Sequence, residues 1–168
     1  SDNSFIRVEG VYYPQILKDI RKSSNVLQPL FEAFTNSIES IKLKKEESKN
    51  DRIEINQYLK KNIINELEFE KSVIEDTGKG FDDTEFKRFL TFKDSRKGFD
   101  NKGSGRIQLV HFFNNVEYES IYQQQGTFNV RSFRVSKSSN FVMNNNTITF
   151  LKSTENIGNS VNSTLTKL

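Results

Sequence analysis

Glu66-Leu67-Glu68-Phe69-Glu70 runs on towards Asp76-Thr77-Gly78-Lys79-Gly80, and this stretch decides how the chain is read. Polar and apolar residues alternate through its first part, the period-two pattern of a half-buried β-strand. The strand is expected over 66–75. An acidic residue stands at its end, and two glycines let the backbone turn tightly and approach something flat or charged. A carboxylate followed by such glycines can grip a purine ring at its exocyclic amine. Taken alone, Asp-x-Gly-x-Gly equally makes an ordinary turn, so its meaning depends on what lies on either side.

Upstream, a strand is expected over 52–58, joined to the first by a turn around Lys60 to Asn65. Before it, Leu27, Leu30, Phe31, Phe34, Ile38 and Ile41 recur at helical spacing, with Asn25 as the N-cap. Pro14 opens a shorter helix, Gln15 to Lys22, and residues 5–13 include a strand-like stretch. Downstream, a helix is expected from Asp82 to Leu90. The segment Thr91 to Gly105 has no periodicity and carries Gly98, Gly103 and Gly105, as functional loops do. Ile107, Leu109, Val110, Phe112 and Phe113 form a short buried helix. Strands then follow over 115–123, 127–136, 140–151 and 160–167, with Gly126 and Asn144-Asn145-Asn146 as turns. This segregated order argues an α+β sandwich in a single domain, 1–168, rather than a doubly wound sheet.

Composition excludes several chemistries. The 168 residues contain no Cys and one His, His111. Disulfides, thiol nucleophiles and His-clustered metal sites are therefore out, and a Ser-His-Asp triad is disfavoured. No apolar run approaches the roughly 18 residues of a membrane span, and the start, Ser1-Asp2-Asn3-Ser4, has no signal-peptide character. A cytoplasmic protein is expected. The net charge of +3 is mild. The densest charge, Lys42 to Arg52, mixes signs and reads as a solvated helix end rather than a nucleic-acid stripe.

Two further motifs flank the turn. In Leu30-Phe31-Glu32-Ala33-Phe34-Thr35-Asn36-Ser37-Ile38-Glu39, Glu32 and Asn36 are one helical turn apart and share a face. A carboxylate there can take a proton from water, and an amide oxygen can ligate Mg²⁺. The bland alternative is a surface Glu beside a surface Asn. In Asn101-Lys102-Gly103-Ser104-Gly105-Arg106, glycines lead into an apolar helix, so backbone N–H groups and the helix dipole can face an anion. A flexible loop with an N-cap would look the same.

In this order and spacing the three motifs resemble the N-box and the two glycine boxes of the GHKL superfamily: gyrase B subunits, ninety-kilodalton heat-shock chaperones, sensor histidine kinases and MutL. The likeness around Gly103-Ser104-Gly105-Arg106 is greatest to bacterial chaperone-like and MORC-type ATP-binding proteins. The resemblance implies the Bergerat fold: a two-layer α/β sandwich with a mixed, mostly antiparallel sheet and a mobile lid, binding ATP with Mg²⁺. It makes Glu32 the general base, Asn36 the Mg²⁺ ligand, and Asp76 the acceptor for the adenine amine. Gly78 and Gly80 allow close approach, and Phe81 lines the adenine pocket. Lys102, Gly103, Ser104, Gly105 and Arg106 face the phosphates, with Lys93, Arg96 and Lys97 in the lid. Thr164 takes the place of the family's late-strand Thr, without its preceding Gly.

The resemblance thus implies an ATPase whose lid closure couples to a downstream domain or to dimerisation, the chain being the N-terminal part of a longer protein. Partners would be an adenine nucleotide, a nucleotide-dependent second copy, and a DNA or protein client reached through further domains; no membrane is expected. The alternatives are a nucleotide-gated switch with little turnover, histidine-kinase-type phosphotransfer, which Glu32 argues against, and a nucleic-acid module without ATP. The Phe residues, at core-like spacing, disfavour the last.

Overall fold

Nine residues of alternating character, Ile53–Lys61, form β2, and ten, Leu67–Asp76, form β3. They pair antiparallel as a hairpin whose turn is held by Asn62: its Oδ1 accepts from the N–H groups of Ile64 and Glu66, and Asn65 adopts φ 66°. The computed structural model describes residues 6–11, 28–44, 49–90, 109, 112–137, 147–161 and 163–168. The expected helix 15–22 and loop 91–105 lie outside them.

Among the described residues the remaining elements are β1 (Ile6–Val11), α1 (Gln28–Lys42), α2 (Asp83–Leu90), β4 (Asn115–Gln124), β5 (Thr127–Lys137), β6 (Thr147–Gly158) and β7 (Leu165–Lys167). One seven-stranded sheet runs in the order β1-β6-β5-β4-β7-β3-β2, and each of its pairings is antiparallel.

This corrects the expected architecture. The two-layer α/β sandwich of Bergerat type, with a mixed sheet, is not what these residues form. Among the described residues a single antiparallel sheet dominates, with two helices of 15 and 8 residues. The physical reason lies in β4, β5 and β6. They are 10, 11 and 12 residues long, and hairpin connections between successive strands enforce antiparallel pairing.

The core sits where those helices touch the sheet. Along β4, Val116, Tyr118, Ser120 and Tyr122 alternate inward, and along β5 Arg131, Phe133 and Val135 do. Phe86 and Phe89 of α2 pack on them. Phe81 meets Phe89, Tyr118 and Phe133 edge to face at 5.4, 5.5 and 5.1 Å, and Tyr118 stacks on Phe133 at 4.6 Å. Such aromatic pairs add about 0.5–1.5 kcal/mol each beyond burial. Ala33 of α1 and Ile74 of β3 belong to the same buried cluster.

Candidate functional site

Small residues decide how closely α1 approaches the end of β3. Ala33, Ser37 and Ser40 follow at helical spacing, and the first two are buried. The Lys79 N–H donates to the Ser40 carbonyl at 2.9 Å, and the Gly80 N–H donates to Ser40 Oγ at 3.3 Å. The glycines answer that closeness. A Cβ on Gly78 would stand 2.5 Å from Ser40 Cβ and 2.7 Å from Asp76 Oδ1. Gly80 has φ +78°, and a Cβ there would lie 2.6 Å from Ser120 Oγ.

Between α1, this turn, α2 and the ends of β4 and β7 lies a cavity of about 490 Å³, within the usual range for small-molecule sites. Its polar wall includes Asn36, Ser37, Ser40, Asp76 and Thr166; Phe81, Phe89, Leu109 and Tyr118 supply an apolar wall. Asp76 is 6% exposed. Ser37 Oγ donates to its Oδ2 at 2.8 Å, and the Gly78 N–H donates to its Oδ1 at 2.9 Å. Burial pushes the Asp76 carboxyl above the ordinary value for an aspartate. The Ser37 and Gly78 hydrogen bonds and the charge of Lys44 pull it back only in part. A carboxylate of two oxygens has acceptor capacity beyond two donors, so Asp76 can take a further N–H from the cavity.

A hydroxyl chain supports the other side. The Phe81 N–H donates to Ser120 Oγ at 2.9 Å, and Ser120 Oγ lies 3.1 Å from Thr166 Oγ1. Thr166 pairs with Asp76 in the β3–β7 register. From beneath, Arg131 clamps the turn that follows. It donates to the Phe81 carbonyl at 2.7 Å and to Asp83 Oδ1 at 2.5 Å, and its guanidinium lies 4.7 and 4.8 Å from the centres of the Phe86 and Tyr122 rings.

The residues singled out from sequence are only partly brought together. Asn36, Asp76, Gly80 and Phe81 line the cavity, and Gly78 stands behind it against Ser40. Glu32 is half-buried, does not line the cavity, and its Oε1 accepts from Gln28 Nε2 at 3.0 Å. Thr164 donates its hydroxyl to the Thr77 carbonyl at 3.3 Å, outside the lining; the threonine beside Asp76 is Thr166. Lys102, Gly103, Ser104, Gly105 and Arg106, together with Lys93, Arg96 and Lys97, lie outside the described residues. Sequence reasoning missed Ser37, Ser40, Thr166, Ser120 and Arg131. The spacing of Ala33, Ser37 and Ser40 was a usable signal, because small residues in a row mark a helix face that something approaches.

Among the described residues no group of three or more His, Cys, Asp or Glu side chains is placed to hold a metal. Asn36 offers one amide oxygen at the cavity wall. That donor set suits a cation arriving with phosphate oxygens and keeping its waters, as Mg²⁺ does, better than a protein-built cage. No helix among the described residues is long and apolar enough to cross a membrane.

No protein-family model, curated protein or solved structure matches the chain.

Proposed function

We propose that this chain binds ATP with Mg²⁺ in the cavity beneath α1 and hydrolyses it to ADP and phosphate. The observation that carries the reading is Asp76: a buried carboxylate with spare acceptor capacity, facing a cavity with an aromatic wall. Such a group recognises a planar ring that offers an N–H, as adenine does through its exocyclic amine. Phe81 and Tyr118 supply apolar surface for the ring. Asn36, one residue before the serine that holds Asp76, places an amide oxygen for the cation. Mg²⁺, when bound, neutralises phosphate charge and favours attack at the terminal phosphorus. Glu32, one turn before Asn36, is the group to orient and deprotonate water. The likeness of the three sequence motifs to the GHKL superfamily supports the same roles; likeness of fold does not enter.

One observation favours a second reading, binding with little turnover. The Glu32 carboxylate is engaged by Gln28 and stands outside the cavity lining, so the base would have to leave that bond to act.

Titration calorimetry of the whole chain with non-hydrolysable ATP and GTP analogues and Mg²⁺ tests the first step. ATP should bind at least about tenfold more tightly, because guanine presents a carbonyl oxygen where adenine presents the amine, and two acceptors facing each other forfeit a hydrogen bond. Equal affinities, or none, refute the adenine assignment. Phosphate release by wild type and Glu32→Ala then separates the readings. Turnover that falls about 10²–10⁴-fold at unchanged affinity assigns the base. Negligible turnover in both leaves the nucleotide-gated binder.

A further inference from the structure

We propose that β2 is a self-association edge, pairing antiparallel with β2 of a second copy about a two-fold axis at Gln57. β2 ends the sheet, so one row of its backbone groups has no strand partner among the described residues. Which row that is follows from the hairpin. Arg52 turns both backbone groups towards β3: its carbonyl accepts from the Thr77 N–H at 3.2 Å and its N–H donates to Thr77 Oγ1 at 3.0 Å. Alternation then turns the backbone groups of Ile53, Ile55, Gln57 and Leu59 outward. The strand runs unbroken, the register shift being taken up on β3 between Phe69 and Lys71.

The side chains select one register. With the axis at Gln57, Ile55 stands opposite Leu59 of the second copy, and Glu54 stands opposite its Lys60; symmetry repeats both pairs. Ile55 and Leu59 are 42% and 56% exposed and lie on the sheet face that bears Ile74 and the helices. Leu67 and Phe69, also exposed, extend the same apolar stripe onto β3. Glu54 and Lys60 lie on the opposite face. Moving the axis one residue back sets Arg52 against Lys60, like charge against like. Moving it one residue forward leaves Glu54 against Asn62. Lysines commonly protect an edge from pairing; here Lys60 meets a carboxylate in one register only, so the charge chooses the register instead of blocking it. The ion pair of Arg52 with Glu54, 3.6 Å apart and more than half exposed, leaves the carboxylate open to a second cation. Nothing in this pairing uses the cavity or a nucleotide.

The test is the mass of the nucleotide-free whole chain by sedimentation velocity, up to about 500 µM because a single strand pair buries less than a standard interface. Wild type should rise from 19.5 kDa towards twice that value with concentration. Lys60→Glu, which sets Glu against Glu twice, should weaken association by about tenfold or more. The swap Glu54→Lys with Lys60→Glu should bring it back to near wild type. Circular dichroism of each variant establishes that the exposed changes leave the fold intact. A wild type that stays monomeric throughout overturns the proposal. So does an association that Lys60→Glu leaves unchanged, or one that the swap fails to restore.

Discussion

Replacing Asp76 with Asn should make the protein more stable and a poorer binder at once. The variant keeps the geometry. Asn Oδ1 still accepts from the Gly78 N–H, and the Ser37 hydroxyl, 2.8 Å from Oδ2 in wild type, can accept from the new amide instead of donating. What disappears is a buried charge. Because burial raises the Asp76 carboxyl above its unfolded value of 3.8, the native state holds its proton to higher pH than the unfolded chain does. The stability linked to this group is therefore complete below pH 3.8 and is lost as pH climbs through the folded value. Each pH unit crossed in that window costs about 1.4 kcal/mol. Asn does not titrate, so the variant's advantage should be smallest near pH 4 and grow as pH climbs through the folded value, read as a Tm above that of wild type. Binding moves the other way. A charge-assisted acceptor contributes about 1.5–3 kcal/mol, and the amide would face the adenine amine with a donor, so affinity for the ATP analogue should fall about 10- to 150-fold. Thermal unfolding at pH 5 and 8, with calorimetry at pH 7.5, reads both. Unchanged affinity refutes the role given to Asp76 in binding. A variant less stable than wild type at both pH values refutes the electrostatic account.

Gly78→Ala should destabilise by about 1–3 kcal/mol, the cost of overpacking, because its Cβ would stand 2.5 Å from that of Ser40; Ser40→Gly in the same chain should recover part of the loss in chemical denaturation, and no recovery would place the strain elsewhere. Arg131→Met should cost about 2 kcal/mol, from the unpaired Phe81 carbonyl and the lost charged donor, a drop in Tm of about 4–8 °C. Little of that belongs to the pair with Asp83, whose side chain is two-thirds exposed; a Tm within 1 °C of wild type would remove Arg131 as the clamp.

The strands were legible in sequence to the extent that alternation follows burial. β4 and β5 read clearly because Val116, Tyr118 and Tyr122 face the core in one strand and Phe133 and Val135 in the other. Of the strand expected over 140–151, residues 147–151 fall in β6, which runs on to Gly158, and 140–146 lie outside the described residues. The second half of β6, Lys152-Ser153-Thr154-Glu155-Asn156, has no apolar pattern; it is a strand because β5 offers its backbone, with register shifts at Phe128/Asn129 and Ser132/Phe133. The layer architecture was misjudged for a related reason. Element order does not fix which strands become neighbours: β7, last in sequence, stands between β3 and β4. Thr164 and Thr166 are two residues apart, and spacing in sequence cannot express pairing; it is the β3–β7 register that sets Thr166 beside Asp76.

That outcome also relocates the information in Asp76-Thr77-Gly78-Lys79-Gly80. Both glycines have a reason internal to this fold: one makes room for Ser40 of α1, and the other takes a left-handed φ against Ser120 of β4. A turn that merely joined β3 to α2 under a close helix would need them as much as a nucleotide site would. Asp76 is different, because packing alone does not call for it. A buried carboxyl with its ionisation disfavoured works against the fold at neutral pH, and an amide could keep its bonds to Ser37 and Gly78. Asp76 is thus the residue of the motif whose presence a ligand explains, and the functional reading rests on that carboxylate and its open acceptor position in the cavity.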